Sequence, residues 1–141
     1  MYPASPDILK EQDKIKEDLD FQIRFYEELI QDDQDFIDAL IPLADAYTRK
    51  GWFDKGLRLD ERLAGLKPSD PFILYNLSCS YALLNQEQKA LDALKRALDL
   101  GYEDLDWMEE DPDLAALRKV EGYKKLVRSY FSETGNGESI S

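Results

Sequence analysis

An all-helical fold, built of antiparallel helix–turn–helix units with a further helix at each end, follows from three features of this 141-residue sequence. No window alternates apolar and polar residues with β-branched enrichment, so strands have no signal. Apolar residues instead advance by three and four, the spacing of one helix face. Sliding the sequence by 34 residues brings leucines, tyrosines and turn residues into register. Leu40 falls on Leu74, Leu43 on Leu77, Tyr47 on Tyr81, Lys55 on Lys89, Leu57 on Leu91, Arg62 on Arg96 and Leu66 on Leu100. Small residues keep the same register, with Ala44 on Ser78, Ala46 on Ser80 and Gly56 on Ala90. Gly51 falls on Asn85, and both residue types tolerate the left-handed backbone that stops one helix and starts the next.

The elements follow in order. Ser5-Pro6-Asp7 reads as an N-cap, a proline at the first helical position and an acid in the first turn. Ile15, Leu19, Ile23, Tyr26 and Ile30 form one apolar stripe, and the polar run Gln31 to Asp35 ends that helix. The two repeat units occupy residues 37–70 and 71–104, with helices expected at about 37–50, 54–66, 71–84 and 87–99. Pro42 removes a backbone donor and is expected to kink the first of these or delay its start. Asp70-Pro71 supplies a second N-cap followed by a proline at the first helical position. Trp52-Phe53, just after the Gly51 turn, reads as core between units. Trp107 and Met108 open a short helix that Asp111-Pro112 interrupts, and Pro112 starts another through Arg118. Tyr123, Leu126, Val127, Tyr130 and Phe131 make a final amphipathic helix, and residues 132–141 read as a solvated tail. The organisation is thus an acidic cap or degenerate repeat over 1–36, units at 37–70 and 71–104, a degenerate closing segment over 105–131, and the tail.

Composition narrows the function. The chain holds 30 Asp plus Glu against 18 Lys plus Arg, for a net charge of −12. That argues against nucleic acid and anionic membranes, which need a basic footprint. Residues 1–36 alone hold 11 acids and 4 bases. There is no histidine, so the commonest general base and metal ligand are missing. A single cysteine forms no disulfide within the chain and no Cys-based zinc site, which fits a reducing compartment. The N-terminus has no basic n-region or apolar h-region, no stretch is long enough to span a bilayer, and the cytoplasm is the expected location.

Candidate chemistry is sparse. Cys79 has no basic neighbour in sequence to lower its pKa and no histidine for a dyad, so it reads as a small semi-buried residue. The acids Asp32, Asp33, Asp35 and Glu109, Glu110, Asp111, Asp113 lack the glycine of a calcium loop and read as solvated capping residues. No phosphate-cradling loop or serine elbow is present. The sequence points to no catalytic residue, no metal and no cofactor.

The segments LADAY (43–47) and YNLSCSY (75–81), with Gly56, Ala90, Ala97 and Pro68, resemble the tetratricopeptide repeat family. Leu63, Asp60 and Tyr102 depart from its pattern. EEDPDLAALR (109–118) is similar to the closing segment after many bacterial arrays of this kind. The resemblance implies a non-catalytic protein-binding module that receives a peptide or helix on the concave face of its first helices. It implies groove positions at Asp38, Ile41, Asp45, Thr48 and Arg49 in the first unit, and at Phe72, Tyr75, Cys79, Ala82 and Leu83 in the second. Asp45 and Cys79 stand where one subgroup places the asparagines of a carboxylate clamp, and the basic pair of that clamp is absent, so a chaperone-tail ligand is not expected. An acidic first half and apolar second half suit an amphipathic helix or a basic peptide. Two other classes remain open: a small secretion-type chaperone for an exported protein, and an enzyme or enzyme subunit using the acidic clusters. Pairing of copies is a further expectation for so short a stack.

Overall fold

In the computed structural model, described over residues 6–132, every regular element is helical. The order is α1 (Pro6–Asp32), α2 (Ile37–Lys50), α3 (Phe53–Leu66), α4 (Pro71–Leu83), α5 (Glu87–Asp99) and α6 (Leu105–Glu110). Two 3₁₀ turns, Pro112–Leu114 and Leu117–Lys119, lead to α7 (Glu121–Val127) and a terminal π turn, Arg128–Ser132. The Ser5 cap, the side chain of Ile15 and the tail beyond residue 132 lie outside the described residues.

The 34-residue register is written into the turns. Gly51 (φ 88°) and Asn85 (φ 59°) are both left-handed, as their alignment predicts. Each turn makes the same two bonds: Gly51 N to Thr48 O and Trp52 N to Tyr47 O, then Asn85 N to Ala82 O and Gln86 N to Tyr81 O. Gly101 (φ 106°) repeats them a third time, with Gly101 N to Leu98 O and Tyr102 N to Ala97 O. The Asp70 carboxylate caps α4, accepting from Phe72 N at 2.9 Å and Ile73 N at 3.3 Å, with Pro71 opening the helix.

The chain divides into two compact units, Met1–Leu59 and Asp60–Ser141. In the first, α1 packs on α2. Leu19 and Ile23 are buried, as are Leu40, Leu43, Ala44 and Ala46, each full burial of a leucine being worth about 2 kcal/mol. Polar bonds fix the register of this pair. Tyr47 Oη donates to Glu27 at 2.5 Å, and Lys50 Nζ pairs with Asp20 at 2.5 Å, the ion pair holding the Asp20 carboxyl below its usual value. At the start of α3, Gly56 faces Thr48 and Ala44, where an added Cβ would lie 2.7 Å from Thr48 Oγ1.

In the second unit α4 packs on α5, and Ser78 Oγ donates to Ala90 O at 2.7 Å across the crossing. Ser78 and Ala90 are the register mates of Ala44 and Gly56. Asp60, which departs from the family pattern, is buried and accepts a short hydrogen bond from Ser80. Tyr81 Oη donates to Glu61 at 3.0 Å. Met108, Leu114, Leu117 and Tyr123 close the end of this core. Arg118 Nη1 ties the segment together by donating to Met108 O at 2.7 Å and Asp111 O at 2.8 Å. Gly122 lets α7 approach α5, since a Cβ there would meet Leu91 Cδ1 at 2.7 Å.

Four expectations need correction. α2 does not start late at Pro42; it runs from Ile37 to Lys50 with the proline inside it. Trp52 is 40% exposed, not core: Lys50 and Lys55 lie over its ring at 5.8 and 5.0 Å, and cations stacked on an indole keep it at the surface. Residues 112–118 form 3₁₀ turns in place of one short helix, with Leu114 N and Ala115 N bonding three residues back to Asp111 O and Pro112 O. The last helix ends at Val127 and passes into a π turn.

Gly51→Ala forces a side chain into φ +88°, and is expected to cost about 1 kcal/mol or more, lowering the melting temperature by about 3 °C. Asn85→Gly relieves the same strain at the matching turn and should leave the melt unchanged or slightly raised.

Candidate functional site

The outer faces of α2 and α4, the first helices of the two repeats, differ sharply in what they leave open. In the first unit Asp38 and Ile41 lie on the outer side of α2, both exposed, Ile41 by 40%. Asp45 and Arg49, four residues apart, form an exposed ion pair at 3.9 Å. Thr48 is half-buried and turns its hydroxyl back to Ala44 O at 3.1 Å. This face is open, polar and lightly structured, since an exposed i,i+4 pair contributes only about 0.3–0.5 kcal/mol.

In the second unit only part of the expected face is accessible. Phe72 is 67% exposed, and Leu83 is half-buried. Tyr75, Cys79 and Ala82 are buried, at 4%, 6% and 7% exposure. The chain itself covers them. After α5 it returns so that Tyr102 stacks flat on Tyr75, with centroids 4.2 Å apart and planes 4° apart, and the Pro112–Leu114 turn packs on α4. Tyr75 Oη then donates to Asp111 Oδ2 at 2.6 Å, and Cys79 Sγ to the same oxygen at 3.6 Å. The expectation of Tyr75, Cys79 and Ala82 as open groove residues is therefore corrected: this stretch of α4 is the seat of the closing segment.

Asp111 is the residue that sequence reasoning undervalues. Its neighbours make it look like one more solvated acid, yet it is 4% exposed. It caps the 3₁₀ turn through Asp113 N to Oδ1 at 2.9 Å while Oδ2 holds Tyr75 and Cys79. The Asp-Pro pair signals the cap; a tyrosine and a thiol 36 and 32 residues upstream carry no local signal. Two other acids behave as capping residues should, with Asp33 accepting from Asp35 N and Asp104 from Trp107 N.

Phe72 stands at the rim of this assembly. Its ring meets Tyr102 edge-on at 5.8 Å, so an exposed ring rests on a Tyr102–Tyr75 stack that Asp111 pins from beneath. The electrostatics keep the buried members neutral. Burial, and then the Asp111 charge, raise the Cys79 thiol well above its ordinary value. Burial also raises Tyr75, with help from Cys79 and Asp111, and pushes Tyr102 up to about 12. Ligand atoms of Cys79, Asp111 and Asp113 lie within 4.8 Å of one another. Both Asp111 oxygens already accept hydrogen bonds and the thiol stays protonated, so the cluster works as a hydrogen-bond hub.

Set beside known proteins, this geometry has parallels in sequence and in fold. No family model matches the chain. It is 34% identical over 98 residues to a protein of Arabidopsis thaliana whose name describes it as chloroplastic, a match covering 67% of this chain. The chain spans 29% of that relative's length. Among solved structures, that of MamA superposes with a TM-score of 0.64 at 21% identity, covering 90% of this chain and 75% of that one. The fold is that of an antiparallel helix–turn–helix solenoid of tetratricopeptide type. No described helix is long and apolar enough to cross a membrane.

Three outcomes check the hub and the tyrosines around it. Cys79 should react slowly with a thiol reagent in the folded protein between about pH 7 and 9, and rapidly in denaturant, because the raised pKa withholds the thiolate. Asp111→Ala strands the buried Tyr75 hydroxyl and removes a cap, so equilibrium unfolding should show a loss of about 2–4 kcal/mol. In alkali, tyrosines whose folded pKa is raised favour the native state in full below their unfolded value, about 10. That stabilisation should fade as pH rises from there through about 12, which a stability profile against pH would reveal.

Proposed function

We propose that the protein is a non-catalytic interaction module that receives a segment of a protein partner on the outer faces of its first repeat helices, α2 and α4. Phe72 carries this reading: a large ring held 67% exposed on a stack that is itself pinned by a buried carboxylate. Preorganised aromatics lose little entropy on binding and dominate interface energetics. Leu83 lies farther along α4. On α2, Asp38, Ile41, Asp45 and Arg49 offer a separate polar surface, and the acids there set orientation and on-rate more than affinity. Tetratricopeptide-type architecture supports a scaffold role, and the net charge of −12 favours a basic or amphipathic partner over nucleic acid or an anionic membrane.

A chaperone for an exported protein is the neighbouring reading, since it would use the same surfaces. A reading as enzyme is disfavoured by the hub, where the acid best placed for chemistry is buried and fully engaged in holding Tyr75 and Cys79. We assign the protein to the cytoplasm on composition; "chloroplastic" belongs to the name of the relative.

The test is recovery of partners on the intact protein from its native host, followed by calorimetry with Phe72→Ala and Asp45→Lys variants. Phe72→Ala should weaken binding by about 2 kcal/mol, roughly thirty-fold, with an unchanged melt. Asp45→Lys should act chiefly through a slower, less salt-sensitive association. If both folded variants bind like the parent, these faces are not the site.

A further inference from the structure

α1 stands where the second helix of a repeat unit would stand, and the described residues supply no first helix for that unit. The register shows it. Glu27 and Glu61 are 34 residues apart, and each accepts the hydroxyl of a tyrosine, Tyr47 or Tyr81, that is also 34 residues apart from its counterpart. α1 therefore matches α3 position by position. In α3 and α5 matching positions carry Gly56 and Ala90, then Leu59 and Ala93, then Leu63 and Ala97; Gly56 faces Thr48 and Ala44 of α2, and Ala90 O accepts from Ser78 of α4. All six are buried, Leu59 and Ala93 at 8% and 4% exposure, Leu63 and Ala97 at 2% and 0%. The same positions of α1 hold Gln22, Phe25 and Leu29. Phe25 is 47% exposed, and Gln22 and Leu29 are only half-buried. Beside them Phe21 is 63% exposed and stacks on Phe25 at 6.3 Å. This aromatic face lies opposite the buried Leu19 and Ile23, at helix spacing.

The absent helix is not folded back from the residues just upstream. Glu17 occupies the position of Gly51 and Asn85, and α1 runs unbroken through it from Pro6. Residues 1–5 and 133–141 contain no Lys or Arg. The rim of the face carries exposed Glu17, Asp18, Glu28 and Asp32 against Lys10, Lys14 and Arg24, an excess of acid. A second copy of the chain would bring like charge to like charge at a net −12 each. Gln22 at the small-residue crossing would keep a visiting backbone farther off than Gly56 or Ala90 would, and the exposed Phe21 and Phe25 are placed to fill that added gap.

We propose that this face of α1 binds a basic amphipathic helix of a protein partner, seated as a first repeat helix sits against the second. The site is separate from Phe72 and stands or falls without it.

The experiment uses the full chain and a fluorescent amphipathic Leu/Ala/Lys peptide, read by anisotropy for affinity and by circular dichroism for induced helicity. Phe21→Ala/Phe25→Ala should weaken binding at least about ten-fold without moving the protein's own melt, because both rings are exposed. The single Phe25→Gln variant should give a smaller loss, and Phe72→Ala should give none. Added salt should weaken association, and a peptide with Glu for Lys, or with the same residues scrambled off helical spacing, should fail to compete. The proposal is overturned if the folded double variant binds as tightly as the parent, if the scrambled peptide competes equally, or if Phe72→Ala abolishes binding. It is also overturned if sedimentation shows a dimer of the parent that the double variant loses, since a second copy then covers the face.

Discussion

Close approach of antiparallel helices at small residues is the constraint on which the rest of this structure depends. Gly56 lies against Thr48 and Ala44, and Ser78 against Ala90, at equivalent places one repeat apart. A larger side chain at either crossing would push the axes apart, and the leucines on both sides would lose the dense contact that makes their burial stabilising. The left-handed turns at Gly51 and Asn85 serve the same end, because they return the chain in register to meet that crossing. Sequence repetition at 34 residues is the outward sign of this one packing requirement being met twice.

A short array has ends, and each end is handled differently. At the C-terminal side the chain closes its own face. Tyr102 stacks on Tyr75, and Asp111 reaches into α4 to take two hydrogen bonds while capping its own turn. A buried carboxylate is costly unless it is well hydrogen-bonded, and here polar hydrogens meet both oxygens. At the N-terminal side α1 covers α2 with Leu19 and Ile23 but leaves Phe21 and Phe25 uncovered.

The regular part of the fold is legible because its causes are local. Helix positions 37–50 and 87–99, the turns at Gly51 and Asn85 and the Asp70 cap follow from spacing, backbone tolerance and a single side-chain bond. What the sequence hides is long-range. Tyr75 and Cys79 sit at offsets that face outward in a repeat, and nothing near them in the chain tells of a lid arriving from residues 102–114. Asp111 looks like its neighbours Glu109 and Glu110 until its two donors are placed in space. Trp52 misleads for the opposite reason: its size suggests core, while Lys50 and Lys55 hold it at the surface.

The lid changes what kind of recognition α4 can support. An open groove would offer Tyr75, Cys79 and Ala82 as a continuous apolar floor, suited to a long helix. With that floor occupied, the most exposed part of α4 is the ring of Phe72, braced edge-on by Tyr102, with Leu83 half-buried farther along. A single rigid anchor selects by shape at one point and leaves the surrounding contacts tolerant, which suits short segments and rapid exchange more than a permanent interface. Over a longer range, a net charge of −12 would favour the approach of basic segments at low salt. On the proposed reading, charge would govern which partners arrive, and the hub beneath Phe72 how firmly they are held.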